Sequence, residues 1–319
     1  MNLVAQKSVP KGVRNSSSFF SGLYIAAYFG IWAVFFLLLR SQTGFESGEA
    51  LAALLILGGI FPALSLLATR PVRAEPSAVF WPLSETAVLL FYLGVITLML
   101  VWGVGALARI TAEPLHSVAW LGVKLAIAVV VPLAMGRAAG YKIRELAPAS
   151  WTWFRLKPAL WMSLAILLLQ SFLGRGLRDL RAAHLPVWSI VVAAPLCFAW
   201  LGFEAGLVEE FFFRALLQER LARVLRSGWG GLVVSALLFG LVHAPGLYLR
   251  PAATQEGIGS SPTLLLAVGY SVVMTSLGGL FLGVLWMRTR NLAAVVLVHA
   301  AGDFLPNLLP WMKAFHLGS

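Results

Sequence analysis

The chain has 319 residues, 60% of them hydrophobic and 12% charged, and its mean hydropathy is +0.86. No soluble domain can bury that much apolar surface and still present a charged exterior, so the composition excludes a soluble enzyme or binding module and points to an integral membrane protein. The net charge of +11 does not mark a nucleic-acid partner, because the Lys and Arg residues fall in short clusters between apolar runs, as topology signals do.

In chain order, Lys7, Lys11 and Arg14 precede the run "FFSGLYIAAYFGIWAVFFLLL". The layout resembles a signal peptide, but an apolar stretch of about 20 residues is long enough to span and no small-residue cleavage site follows, so it reads as a retained first helix. Apolar runs long enough to cross a bilayer lie near 19–39, 50–69, 86–108, 117–136, 187–209, 230–246, 263–287 and 291–309. A shorter run at 159–173 fits a tilted, re-entrant or full span, so eight or nine crossings are expected. No ten-residue alternation suggests a transmembrane barrel and no internal repeat is visible. The expected fold is all-α, a polytopic helical bundle. It divides into N-terminal transmembrane helices, residues 1–185, and a catalytic helical core, residues 186–319, within one integrated membrane domain.

Basic loops at Arg70 and Arg73, at Arg137 to Lys157 and at Arg220, Arg223 and Arg226 alternate with poorer ones and, with the basic start, place the N-terminus in the cytoplasm. The cluster Arg175, Arg178 and Arg181 falls on the wrong side of that scheme. The rich Ala, Leu, Gly and Arg usage is compatible with a bacterial inner membrane. The one cysteine, Cys197, sits in an apolar run, which rules out an internal disulfide or a Cys-based metal site and leaves it a small buried hydrophobe.

The first half is nearly bare of intramembrane polar groups, Lys124 being the main exception. The second half holds three polar stretches: "EEFFFR" from Glu209 to Arg214, "FGLVH" from Phe239 to His243, and "HAAGD" from His299 to Asp303. Ionisable groups at membrane depth are costly and mark function. Singly, each has a plain structural reading: a histidine can bond helix to helix, and a Glu–Arg pair one turn apart can be an ion pair. Convergence is what decides between the two. Turns are expected at "SGWGG" (Ser227 to Gly231) and "RTRN" (Arg288 to Asn291). Measured from them at 1.5 Å per residue, Glu209 and His243 stand roughly 27 and 22 Å high, and His299 and Asp303 roughly 12 and 18 Å. With both turns on one face, one site is feasible.

Phase refines this. Glu210 and Arg214 share a face and should pair, whereas Glu209 points about 100° away, toward the histidine-bearing helices. Phe239 lies a turn before His243 and is expected to pack beneath it. Gly302 should let another backbone approach.

The three motifs, in this order on successive helices, resemble the CAAX protease and bacteriocin-processing (CPBP, or ABI) family of intramembrane endopeptidases, whose pattern is EExxxR, FxxxH, then HxxxN or HxxxD. The resemblance covers about residues 190–310. It implies peptide-bond hydrolysis within the membrane, near the C-terminus or anchor of a lipidated or membrane-bound protein or peptide substrate. One departure is Asp303, where the family's best-understood eukaryotic members carry Asn. An ionised Asp cannot donate a hydrogen bond.

Amide hydrolysis needs an activated water, a stabilised oxyanion and a proton for the leaving amine. The favoured assignment gives water activation to Glu209 helped by His243. His299, oriented by Asp303, takes the oxyanion or the leaving group, and Glu210, Arg214 and Phe239 support them. No cofactor is favoured. A zinc version would use His243, His299 and Asp303 as ligands, although the HExxH helix is absent. Outside the protease class stand a catalytically silent immunity or scaffold member and a proton-coupled transporter, the latter lacking the expected repeats.

Overall fold

A computed structural model describes residues 18–70, 79–109, 112–249, 258 and 261–317. All regular structure among the described residues is helical. Among the described residues nine helices are long and apolar enough to cross a membrane: α1 Phe20–Leu39, α2 Ser47–Ala68, α3 Pro82–Leu107, α4 Leu115–Ala138, α5 Trp153–Leu173, α6 Val187–Val224, α7 Gly228–Leu249, α8 Leu264–Thr289 and α9 Leu292–Ala314. The ambiguous run at 159–173 is therefore part of a helix of spanning length, and the larger of the two expected counts is met. The basic residues Lys7, Lys11, Arg14 and Arg73, which carry much of the orientation argument, lie outside the described residues.

The helices are not equal in burial. In α8, 61% of the most apolar window is buried within the protein, against 11–22% in each of α1 to α5. A helix that is apolar on every side belongs inside a bundle, and α8 is that central post. Around it, α1 is fastened by Tyr28, whose hydroxyl meets the Ser276 hydroxyl at 2.8 Å, and by Trp32, whose indole donates to the Val273 carbonyl at 2.9 Å. Phe61 of α2 packs on Phe281 with ring centroids 5.1 Å apart. Helix α5 lies along α9, its Ser163 hydroxyl donating to the Leu297 carbonyl. The outward faces of α1 to α5 carry exposed Leu, Val, Phe and Trp, which is the surface a lipid solvent requires.

Two turns frame the site. Ser227 caps α7, its hydroxyl accepting from the Gly230 amide at 3.1 Å. Arg290 takes the left-handed conformation, φ 46°, to end α8 before α9 begins. Both fall where the Gly, Ser and Asn signals place them.

The apolar run at 187–209 and the helical rise counted from Glu209 to the Ser227 turn belong to one helix, α6, and the placing of Arg220 in a loop needs correction. The helix continues to Val224, 38 residues in all. Arg220 is consequently not a loop charge. It is buried, its Nε 3.0 Å from Glu85 Oε2 and its guanidinium 5.4 Å from the Tyr141 ring centroid. Apolar statistics stopped the run at the first carboxylates, whereas backbone hydrogen bonding carries the helix through them.

Candidate active site

The residues of the three motifs meet. In α6 the carboxylates lie on a three-residue α-helical stretch, Val208–Glu210, between π-helical segments Gly202–Leu207 and Phe211–Gln218. Such wide turns recur at functional sites because they re-aim side chains within a helix. Glu210 and Arg214 form the expected pair, Oε2 to Nε 2.9 Å, both wholly buried. The Arg214 guanidinium also stands 4.7 Å from the Phe239 ring centroid, so an aromatic face shares the task of stabilising a buried cation. Glu209 turns the other way and is partly exposed, into the cavities described below.

His243 is presented by a break in α7. Regular helix runs Gly228–Leu241 and resumes at Ala244–Leu249. Pro245 explains the break, since it has no amide to give the Leu241 carbonyl and its ring would collide with it. At this break His243 Nδ1 donates to the Phe239 carbonyl at 2.7 Å, because a carbonyl only accepts. Nε2 is left facing Glu209 Oε1 at 3.9 Å. The Phe239 ring packs against the imidazole, centroids 5.2 Å apart. Close helix approach makes this geometry reachable: a Cβ at Gly240 would sit 2.4 Å from the Ser271 carbonyl oxygen and 2.8 Å from Ser276 Cβ.

His299 is the hub. Its Nδ1 lies 2.8 Å from Glu210 Oε1, and its Nε2 lies 3.4 Å from Asp303 Oδ2 and 3.8 Å from Glu209 Oε2. This differs from the sequence expectation in one respect. The group holding the far nitrogen of His299 is Glu210, while Asp303 shares the nitrogen that faces Glu209. Glu210 is thus more than a counter-ion for Arg214, and spacing alone could not show it, since residues 89 positions apart carry no register. Both histidines are tied by Nδ1 and offer Nε2 to one carboxylate.

Gly302 also departs from expectation. A Cβ there would meet nothing within 4 Å, so no backbone presses against it. The open space is cavity, and Gln170 of α5 donates to the Gly302 carbonyl instead. Glu209, His243, Gly302 and Asp303 line two cavities together. One, of about 460 Å³, extends toward α2, α5 and α8; the other, of about 710 Å³, extends toward α3 and α4, with α6, α7 and α9 completing its wall. The second contains Lys124, whose ammonium bonds to the Glu204 side chain of α6. Lys124 was conspicuous in sequence as a lone intramembrane cation, but its partner and its place beside Glu209 were not visible there. Gln170 gave no such signal.

Whether the donor set fits a metal can be judged from its spacing. Among the described residues no group of three or more His, Cys, Asp or Glu side chains is drawn together so as to hold an ion. The closest approximation is the pair of Nε2 atoms with Glu209, at 3.8 and 3.9 Å from its two oxygens.

Residues 186–305 match the family model of the type II CAAX prenyl endopeptidase Rce1-like family. The match begins at the foot of α6 and ends in α9, and so takes in all three motifs. No curated protein and no solved structure gives a significant match. The chain is accordingly an integral, multi-pass membrane protein whose second half carries the features of an intramembrane peptidase.

Proposed function

We propose that this protein is a metal-free intramembrane endopeptidase that cuts a peptide bond near the C-terminus or anchor of a lipidated membrane substrate, with Glu209 as the base. The observation that carries the reading is the carboxylate of Glu209 set between two histidine Nε2 atoms at 3.8 and 3.9 Å. These separations exceed a hydrogen bond and suit an intervening water or substrate atom.

In this scheme Glu209 removes a proton from water as the oxygen attacks the carbonyl carbon. His243, its Nδ1 hydrogen committed to the Phe239 carbonyl, offers an unprotonated Nε2 that accepts the water's other hydrogen. His299 donates through Nε2 to the developing oxyanion, its ring fixed by Glu210 on the other side. The proton gathered by Glu209 passes to the leaving nitrogen as the C–N bond breaks. Asp303, with Oδ2 3.4 Å from Nε2, helps to orient the ring. A prenylated tail is the substrate class most in keeping with the matched family; the basic loops favour a cytoplasmic N-terminus, and the Ala, Leu, Gly and Arg usage is compatible with a bacterial inner membrane.

The test is direct. Protein purified in detergent, given a peptide carrying an S-farnesyl cysteine before three C-terminal residues, should release the tripeptide, and Glu209→Gln should not. No cleavage by the folded wild type, or full cleavage by Glu209→Gln, overturns the proposal.

A second reading has one observation in its favour: both Nε2 atoms face the same space, as two-histidine-one-carboxylate zinc shells require. The residues to hold zinc would be His243 and His299 with Glu209 or Asp303. Zinc would polarise the carbonyl and acidify water. Chelation separates the two readings.

A further inference from the structure

The two cavities that meet at Glu209 differ in chemistry. Beyond the shared catalytic rim the smaller is walled mostly by apolar side chains such as Ile56, Leu57, Phe61 and Met274, with Gln170, Thr275 and His299 as its polar members. The larger adds Thr97, Asn307 and Lys124. Among the described residues Lys124 is the one lysine or arginine lining either cavity.

An ammonium at this depth is expensive and is kept for a reason. Fastening α4 to α6 is not sufficient, since a buried ion pair can be replaced by apolar side chains of similar volume at little or no loss of stability. Nor is the cation fully used. An ammonium carries three donors; the Glu204 carboxylate takes one and the Glu204 backbone carbonyl, at 3.4 Å, takes another. The Lys124 side chain is 18% exposed, enough to meet a group entering the cavity.

A substrate lying across Glu209 has one part in each cavity. Its apolar anchor belongs in the smaller one, whose wall holds no lysine or arginine and no carboxylate besides Glu209 and Asp303. The part in the larger one reaches the cation. We propose that Lys124 is a specificity-determining residue that binds the free C-terminal carboxylate of the departing peptide. This inference rests on the peptidase reading and extends it: the enzyme measures its cut from a chain end, with the anchored part of the substrate toward α2, α5 and α8 and the leaving peptide toward α3 and α4.

Two S-farnesylated peptides of one sequence, ending in a free carboxylate or in a carboxamide, test this on the purified wild type. The acid should be cleaved with a kcat/KM about tenfold or more above the amide, chiefly through KM, as loss of one charge-assisted hydrogen bond implies. In the paired substitution Lys124→Met with Glu204→Gln, which removes both charges together, the acid should fall to the level of the amide; Lys124→Arg should retain a preference. Equal cleavage of both peptides by wild type overturns the assignment while leaving the peptidase reading intact. So does a preference that survives the paired substitution, which would place the reader of the carboxylate elsewhere. If the paired variant fails to elute as folded protein, the wild-type comparison decides. Cleavage of neither peptide removes the peptidase reading and this inference with it.

Discussion

Adjacent carboxylates with opposite duties can be separated by two conservative substitutions. Glu210 is wholly buried, lies 2.9 Å from Arg214 Nε, and accepts from His299 Nδ1 at 2.8 Å. Glu210→Gln removes the charge opposing a fully buried guanidinium, and breaking one side of a buried ion pair costs about 3–5 kcal/mol. The lost charged hydrogen bond to His299 falls within the same coupled cluster and is not added separately. Glu209 has its two histidine neighbours at 3.8 and 3.9 Å, beyond hydrogen-bonding range, and its side chain is 22% exposed. Glu209→Gln should therefore change stability by less than about 1 kcal/mol and lower kcat about 10²–10⁴-fold through loss of the base. Reversible unfolding in mixed detergent micelles gives the first quantity, and initial rates on a farnesylated peptide give the second. Equal destabilisation by the two variants would refute the division of labour; so would a Glu209→Gln protein that retains its rate.

Cleavage should persist in strong chelator without bound zinc, and Asp303→Asn should keep most activity, because Asn can still bond to His299 Nε2; stoichiometric zinc, or chelator-sensitive activity restored by zinc, would favour the two-histidine metal reading. In a Cys197→Ala background, cysteines at positions 209, 243 and 299 should react with a small polar thiol reagent, whereas one at Ala236, which is wholly buried, should not; protection at all three would mean that the motifs are structural. Gly240→Ala should force α7 away from α8 at the Ser271 and Ser276 contacts, lowering thermal stability and displacing His243 three residues on, so that kcat falls even though no polar group is lost.

Much of the candidate site was legible because intramembrane charge is so costly that it is sparse. Glu209, Glu210, Arg214, His243, His299 and Asp303 stand out against their apolar neighbours by type alone, and helix rise brings them to similar depth. What helix arithmetic lacks is rotation about each axis and the lateral order of the helices. Those quantities place Glu210 on His299, give Lys124 its partner in Glu204, and put Gln170 on the Gly302 carbonyl. Each of these contacts crosses between helices at separations of 80 residues or more, where no spacing rule operates.

The same limit explains why the apolar run stops before the helix does. A hydropathy window sees Glu209 and Glu210 as an exit from the membrane, yet both remain on one continuous helix because their costs are met in different ways. Glu210 is neutralised one turn on by Arg214, which rests against Phe239. Glu209 escapes burial by facing two cavities, and that escape is the chemically useful one. A carboxylate fully paired in a dry core has no free lone pair to offer a water, and one in bulk solvent has no fixed geometry. Between those extremes the π-helical segments on either side of Val208–Glu210 let a single helix hold one carboxylate shut and the next one open.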